Sequence, residues 1–188
     1  MAISVLAVGA SGIVAMQKVA VSANRSARSL AVANEVARTW LETLRADALQ
    51  WNHPSSRNPV SDRETDTMWL GTVMDSEPAE NEGWFRPSDG VSVCGIHDVF
   101  GRSVACAGAQ EGPYCVNLRL SWIRDSRQLI RAEVRVYWIV RNEGDDALSP
   151  DELPCGSATD PPDVNDLAMK GVVRVVHAVS AIAKNEAP

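Results

Sequence analysis

The chain has 188 residues, with 24 acidic and 18 basic side chains and a formal net charge of −6. That length suits one ordinary domain plus an appendage and is enough to bury a core, while the acidic balance excludes a general attraction to nucleic acid or anionic lipid. The four cysteines, Cys94, Cys106, Cys115 and Cys155, all fall from position 94 onward without the CxxC spacing of a zinc or redox site. An even number in loop-rich sequence, beside an apolar N-terminus, predicts disulfides in an oxidising compartment. Three pairings remain open.

Residues 2–17, AISVLAVGASGIVAMQ, carry no charge, and the first ionisable side chain is Lys18. A helix needs roughly 20 apolar residues to span a bilayer, so this run is a partial membrane segment. No basic residue precedes it and helical sequence follows directly, unlike a cleaved signal peptide. From Lys18 to about Leu49 there is neither proline nor glycine, and strong helix formers dominate. Leu30, Ala33, Ala37, Trp40, Leu44 and Ala48 recur at steps of three or four, one apolar stripe on which a globular head would pack. Arg38 and Glu42 are placed to pair on the solvent side. One rod is therefore expected, with an apolar half over residues 1–23 and an amphipathic half over 24–51, followed by a head over 52–188.

The turn-rich NHPSSRNPVSDRETD, residues 52–66, ends the helix. TMWLGTVM and VSVCGIHDVF, within residues 67–106, read as short strands. Two better ones follow. In residues 114–123, Val116, Leu118, Leu120 and Trp122 alternate with Asn117, Arg119 and Ser121; in residues 128–140, Ile130, Ala132, Val134, Val136 and Trp138 alternate with Arg131, Glu133 and Arg135. This is an antiparallel hairpin with one dry and one wet face, on which Arg119 and Glu133 are cross-strand neighbours. Residues 142–170, rich in proline and acid, read as an irregular excursion that a bridge from Cys155 to Cys115 would fix. Residues 171–182 supply the last strand. The expected fold class is thus α+β, a long N-terminal helix packed on an antiparallel sheet.

No catalytic grouping emerges. His53, His97 and His177 are scattered, with His177 in a strand as a structural residue, and there is no GxSxG, phosphate loop or dinucleotide fingerprint. Gly9, Ala10, Ser11 and Gly12 form a small-residue patch inside the apolar run, suited to close helix packing. Asp160, Asp163 and Asp166 are the only grouping that suggests a cofactor, a calcium ion, and acidic loops of this kind usually just bind water. The chain reads as a non-enzyme with no small-molecule substrate and no required cofactor.

An uncharged then amphipathic N-terminal helix, followed by an antiparallel sheet and a late disulfide-bounded loop, is the layout of type IV pilins and pseudopilins. AVGASGIVAMQ and ARSLAVANEVARTWLETLRAD, within residues 1–52, resemble most the PilV-type minor pilin family; residues 53–188 are similar only in general character. Members of that family carry a basic leader and a glycine cleavage site before Phe-Thr-Leu-Ile-Glu. None of these is present here, so Met1 is expected to correspond to a position several residues inside the mature helix. The resemblance implies a subunit that waits in the bacterial inner membrane with its head in the periplasm and then joins a type IV pilus near the tip, helping to start assembly. Its partners would be other minor pilins, the major pilin and a tip adhesin. A type II secretion pseudopilin shares this architecture, and a membrane-anchored periplasmic binding module is the alternative from another class.

Overall fold

The computed structural model describes residues 2–52, 63–75, 78–79, 82–90, 93–105, 112–123, 126–140, 155 and 161–183, with backbone alone for 2–11, 52 and 126–127. With no proline before Pro54 to remove a backbone donor, one helix, α1, runs unbroken over Ala2–Asn52. The chain nevertheless divides between Val32 and Ala33 into two units, Met1–Val32 and Ala33–Pro188.

In the second unit the sheet contains, among the described residues, β1 (Ile96–His97), β2 (Tyr114–Ile123), β3 (Ser126–Ile139) and β4 (Val173–Ala183), in that spatial order and antiparallel throughout. The α+β class expected from the sequence is the observed one. Register places Leu118, Val134 and Ala178 in one row and Arg119, Glu133 and Val179 in the next. Because side chains alternate along a strand, these rows lie on opposite faces.

The first face receives α1. Ala33, Val36, Ala37, Trp40, Leu44, Ala48 and Trp51 are buried along it, as are Val116, Leu118, Leu120, Ile130, Ala132, Val134 and Val136 on the sheet. Trp51 meets Trp122 edge-on at 6.0 Å between ring centroids, and Arg45 Nη2 donates to Ser180 Oγ at 2.9 Å. Trp40 Nε1 donates to His97 Nε2 at 3.0 Å, which makes that nitrogen the acceptor and leaves Nδ1–H to donate to the Gly101 carbonyl, also at 3.0 Å. Leu30 is a correction to the expected stripe. It is 47% exposed and belongs to the first unit, so the packed stripe begins at Ala33, where the sheet first supplies apolar surface, and continues to Trp51.

Two expected strands are shorter than their sequence suggests. Within residues 67–74 the chain forms a 3₁₀ turn over Leu70–Thr72, preceded by α2 (Arg63–Asp66). The cause is Asp47 on α1, whose carboxylate accepts from the amides of Met68, Trp69 and Leu70 at 2.8, 2.8 and 3.1 Å and so takes the donors a strand would offer to a neighbour. Among the described residues of 93–100 only Ile96–His97 forms a strand. Gly95 precedes it at φ +63°, and the Asp98 side chain turns the chain back by accepting from Phe100 and Arg102 amides at 2.8 and 2.9 Å. The stretch read as wholly irregular contains α3 (Val164–Met169), whose N-cap Asp163 accepts from the amides of Asn165 and Asp166.

Candidate assembly surface and buried charge cluster

In the first unit Ile13, Val14, Met16, Val19 and Val21 are 60, 64, 77, 69 and 70% exposed. At about 100° per residue, Val19, Met16, Ile13, Val21 and Val14 point roughly 240°, 300°, 0°, 80° and 100° around the axis, so large apolar side chains cover about 220° of the circumference, wider than a stripe, with Lys18 in the remaining sector. An apolar arc this wide is more than one flat partner covers. Gly12 adds a place where nothing stands within 4 Å of a side chain built there, leaving room for another backbone to approach closely. Gly9, Ala10 and Ser11 lie on the same helix, but their side chains are outside the described residues. Among the described residues, no helix is long and apolar enough to cross a membrane.

The second unit holds a feature that the alternating pattern concealed. The face expected to be wet is covered: Asn117, Glu133 and Arg135 are 0, 2 and 5% exposed. Phe85 bridges to Leu118, its amide and carbonyl both paired with those of Leu118 at 2.9 and 2.8 Å. Trp84, just before it, therefore lies over the polar rows. Its ring stacks under the guanidinium groups of Arg119 and Arg135, at 4.7 and 4.2 Å, and against His177 at 5.4 Å. Arg119 and Glu133 are cross-strand partners as expected, but within a buried ion pair, where Arg119 Nε donates to Glu133 Oε2 and Arg131 donates to Oε1 at 3.0 Å. A tryptophan in GWFRP, between a glycine and a proline, was the available sign that this loop carries a lid.

Burial works to raise the Glu133 carboxyl, but the hydrogen bond and charge of Arg119, aided by Arg131, hold it below the ordinary carboxylate value. Burial lowers Arg135 to about 10 against the opposing fields of Tyr137 and Asp163, so it stays a cation at neutral pH. Arg135 donates to Asn117 Oδ1 at 3.0 Å and to the Pro162 carbonyl at 3.4 Å. Burial likewise pushes the Tyr137 phenol up, and it remains neutral.

Cys115 and Cys155 are joined, with Cα atoms 5.4 Å apart, which fixes one of the pairings left open by sequence. Cys94 is also disulfide-bonded, and Cys106 lies outside the described residues. The Cys115–Cys155 bridge sits in a small core with Ile96, Tyr137, Val164 and Val173. Of the calcium candidates, Asp163 is the cap of α3, Asp166 pairs with Lys170 Nζ at 2.6 Å, and Asp160 is outside the described residues. No three potential ligands converge among the described residues. His97 and His177 stand on different strands, and His53 is outside the described residues.

No family model, curated protein or solved structure matches this chain.

Proposed function

We propose that this chain is a minor subunit of a type IV pilus, carried by the apolar half of α1 into a bundle of like helices, with the sheet unit as its exposed head. The observation that supports this reading is the change in side-chain distribution along one unbroken helix. Beyond Ala33 the apolar residues form a stripe that the protein's own sheet buries, and before it Ile13, Val14, Met16, Val19 and Val21 spread over more than half the circumference and stay exposed. Lipid and a helical bundle are both apolar, so passing from one to the other costs little hydrophobic free energy and close packing at Gly12 can decide the outcome. The partners are other pilins, and catalysis plays no part.

The test is Val19→Arg. A charge at the centre of an apolar helical environment costs about 2.5–3.5 kcal/mol, so the variant should be lost from purified fibres. Its head should melt as the wild type does, because Val19 is 69% exposed. Wild-type yield of the variant in fibres would refute the bundle role. A secretion pseudopilin would behave alike in this assay and is distinguished by loss of secretion, not of surface fibres, when the gene is removed.

A further inference from the structure

We propose that Arg86, Tyr137 and Arg135 form a binding site for a small oxyanion on the face of the sheet turned away from α1. The site begins with Arg86, which is 7% exposed and has no hydrogen-bond partner at either Nε or Nη1. A guanidinium cannot shed its charge, and a buried charge without a counter-charge is strongly unfavourable. Tyr137, fully buried, makes no well-formed hydrogen bond through its hydroxyl, which only the Asn117 side chain approaches among the described side chains that act on it as hydrogen-bond partners.

Topology brings these groups together. Arg86 follows Phe85, which pairs antiparallel with Leu118, so it lies beside Asn117, and Asn117 is the cross-strand partner of Arg135. From the other side, a side chain on Gly95 would lie 2.9 Å from Arg86 Cγ, and Gly95 leads into Ile96, whose register partner is Cys115 and, one strand further, Tyr137. The Tyr137 hydroxyl feels the positive charge of both Arg135 and Arg86. Packing of the Arg86 stem against the Gly95 backbone keeps its head from swinging into water.

Among the described carboxylates, Asp163 opposes the charge of Arg135, and none is paired with Arg86. Glu133 is engaged by Arg119 and Arg131, and Asp163 caps α3. What remains is a set of N–H and O–H donors with excess positive charge, which matches the chemistry of phosphate, sulfate or a carboxylate. The site is separate from the helix surface invoked for assembly and does not depend on that reading.

The experiment uses the full chain in detergent. Thermal unfolding is followed by near-ultraviolet circular dichroism while sodium phosphate, sodium sulfate or sodium acetate replaces sodium chloride at matched ionic strength, with calorimetric titration of the same salts. A saturable stabilisation by at least one of them is expected; at about 100 times its Kd the unfolding constant falls about 100-fold. Preference for phosphate or sulfate over acetate would assign the tetrahedral anions, and the reverse a carboxylate. Arg86→Met should abolish the response, and Tyr137→Phe, which removes only the hydroxyl, should weaken it. Absence of any saturable response from the wild type beyond that in chloride, with the cluster merely hydrated, would overturn the proposal. So would an undiminished response from Arg86→Met.

Discussion

Glu133→Gln tests whether the sheet's polar face is closed. Glu133 is 2% exposed and is the acceptor for both Arg119 and Arg131, while Arg119 is also held by the Trp84 ring and by the Ala79 carbonyl at 3.2 Å. The substitution keeps volume and one acceptor oxygen but removes the charge, leaving Arg119 buried without its counter-ion. Breaking one side of a buried pair costs about 3–5 kcal/mol, and the retained oxygen puts this case near the lower end, about 3. At ~2–4 °C per kcal/mol for a chain of this size, the melting temperature should fall about 6–12 °C. Replacing both partners, Arg119→Met with Glu133→Leu, should recover much of the loss because no uncompensated charge remains. The pH dependence gives a second readout. The carboxyl is held below its ordinary value when folded, so its contribution is complete above the unfolded value of about 4.3 and disappears as pH falls through the folded one. Wild type and Glu133→Gln should therefore converge in stability in acid. A loss below about 1 kcal/mol at neutral pH, the level of a solvated pair, would show that Trp84 does not close the face and would refute the reasoning.

Four further outcomes can be checked by denaturant or thermal unfolding and by NMR. Converting Cys115 and Cys155 to alanine opens a bridge with sequence separation 40, for which the loop-entropy relation gives about 4 kcal/mol; equal stability of the variant and the oxidised wild type would exclude a structural role. His97 is buried, and burial lowers its imidazole below the ordinary value despite the opposing Gly101 carbonyl and Asp98. Its contribution is complete above the unfolded value of about 6.5 and is lost as pH falls toward the folded value; an NMR titration placing His97 at or above 6.5 would contradict the Trp40 hydrogen bond. Trp40→Phe, which removes only that donor and some ring area, should cost about 1 kcal/mol or slightly more. Asp47→Ala removes the acceptor for three amides and should cost about 1.5–3 kcal/mol, the range for charged acceptors, with Asp47→Asn intermediate.

What was legible in the sequence was whatever depends on short-range repetition. Steps of three and four marked Ala33, Ala37, Trp40, Leu44 and Ala48, and the same steps reach Val36 and Trp51. Alternation marked β2 and β3, and the run at 171–182 marked β4, each to within two residues at either end. Alternation reports only that two faces differ in polarity, though, and Asn117, Arg119, Glu133 and Arg135 would read the same beneath water or beneath a tryptophan. The covering comes from Trp84, some thirty to fifty positions earlier in the chain, and a long-range contact of that kind leaves no local periodicity. The failed strands have a similar origin. Residues 67–74 have suitable composition, but Asp47, twenty-one residues before Met68, claims their amides.

The helix separates two kinds of information that are usually entangled. Its hydrogen bonds join residues four apart and do not depend on what the side chains meet, so good helix formers and the lack of proline suffice to carry it from Ala2 to Asn52. What its surroundings must be is written instead in the angular distribution of apolar side chains. After Ala33 that distribution fits a single flat partner, and the protein's own sheet is that partner. Before it, Ile13, Val14, Met16, Val19 and Val21 spread over about 220° of the circumference, which no single flat surface can bury. Only an enclosing environment, whether lipid or several helices, removes all of them from water at once, and that geometric requirement is why the proposed function is an assembly and not a binary contact.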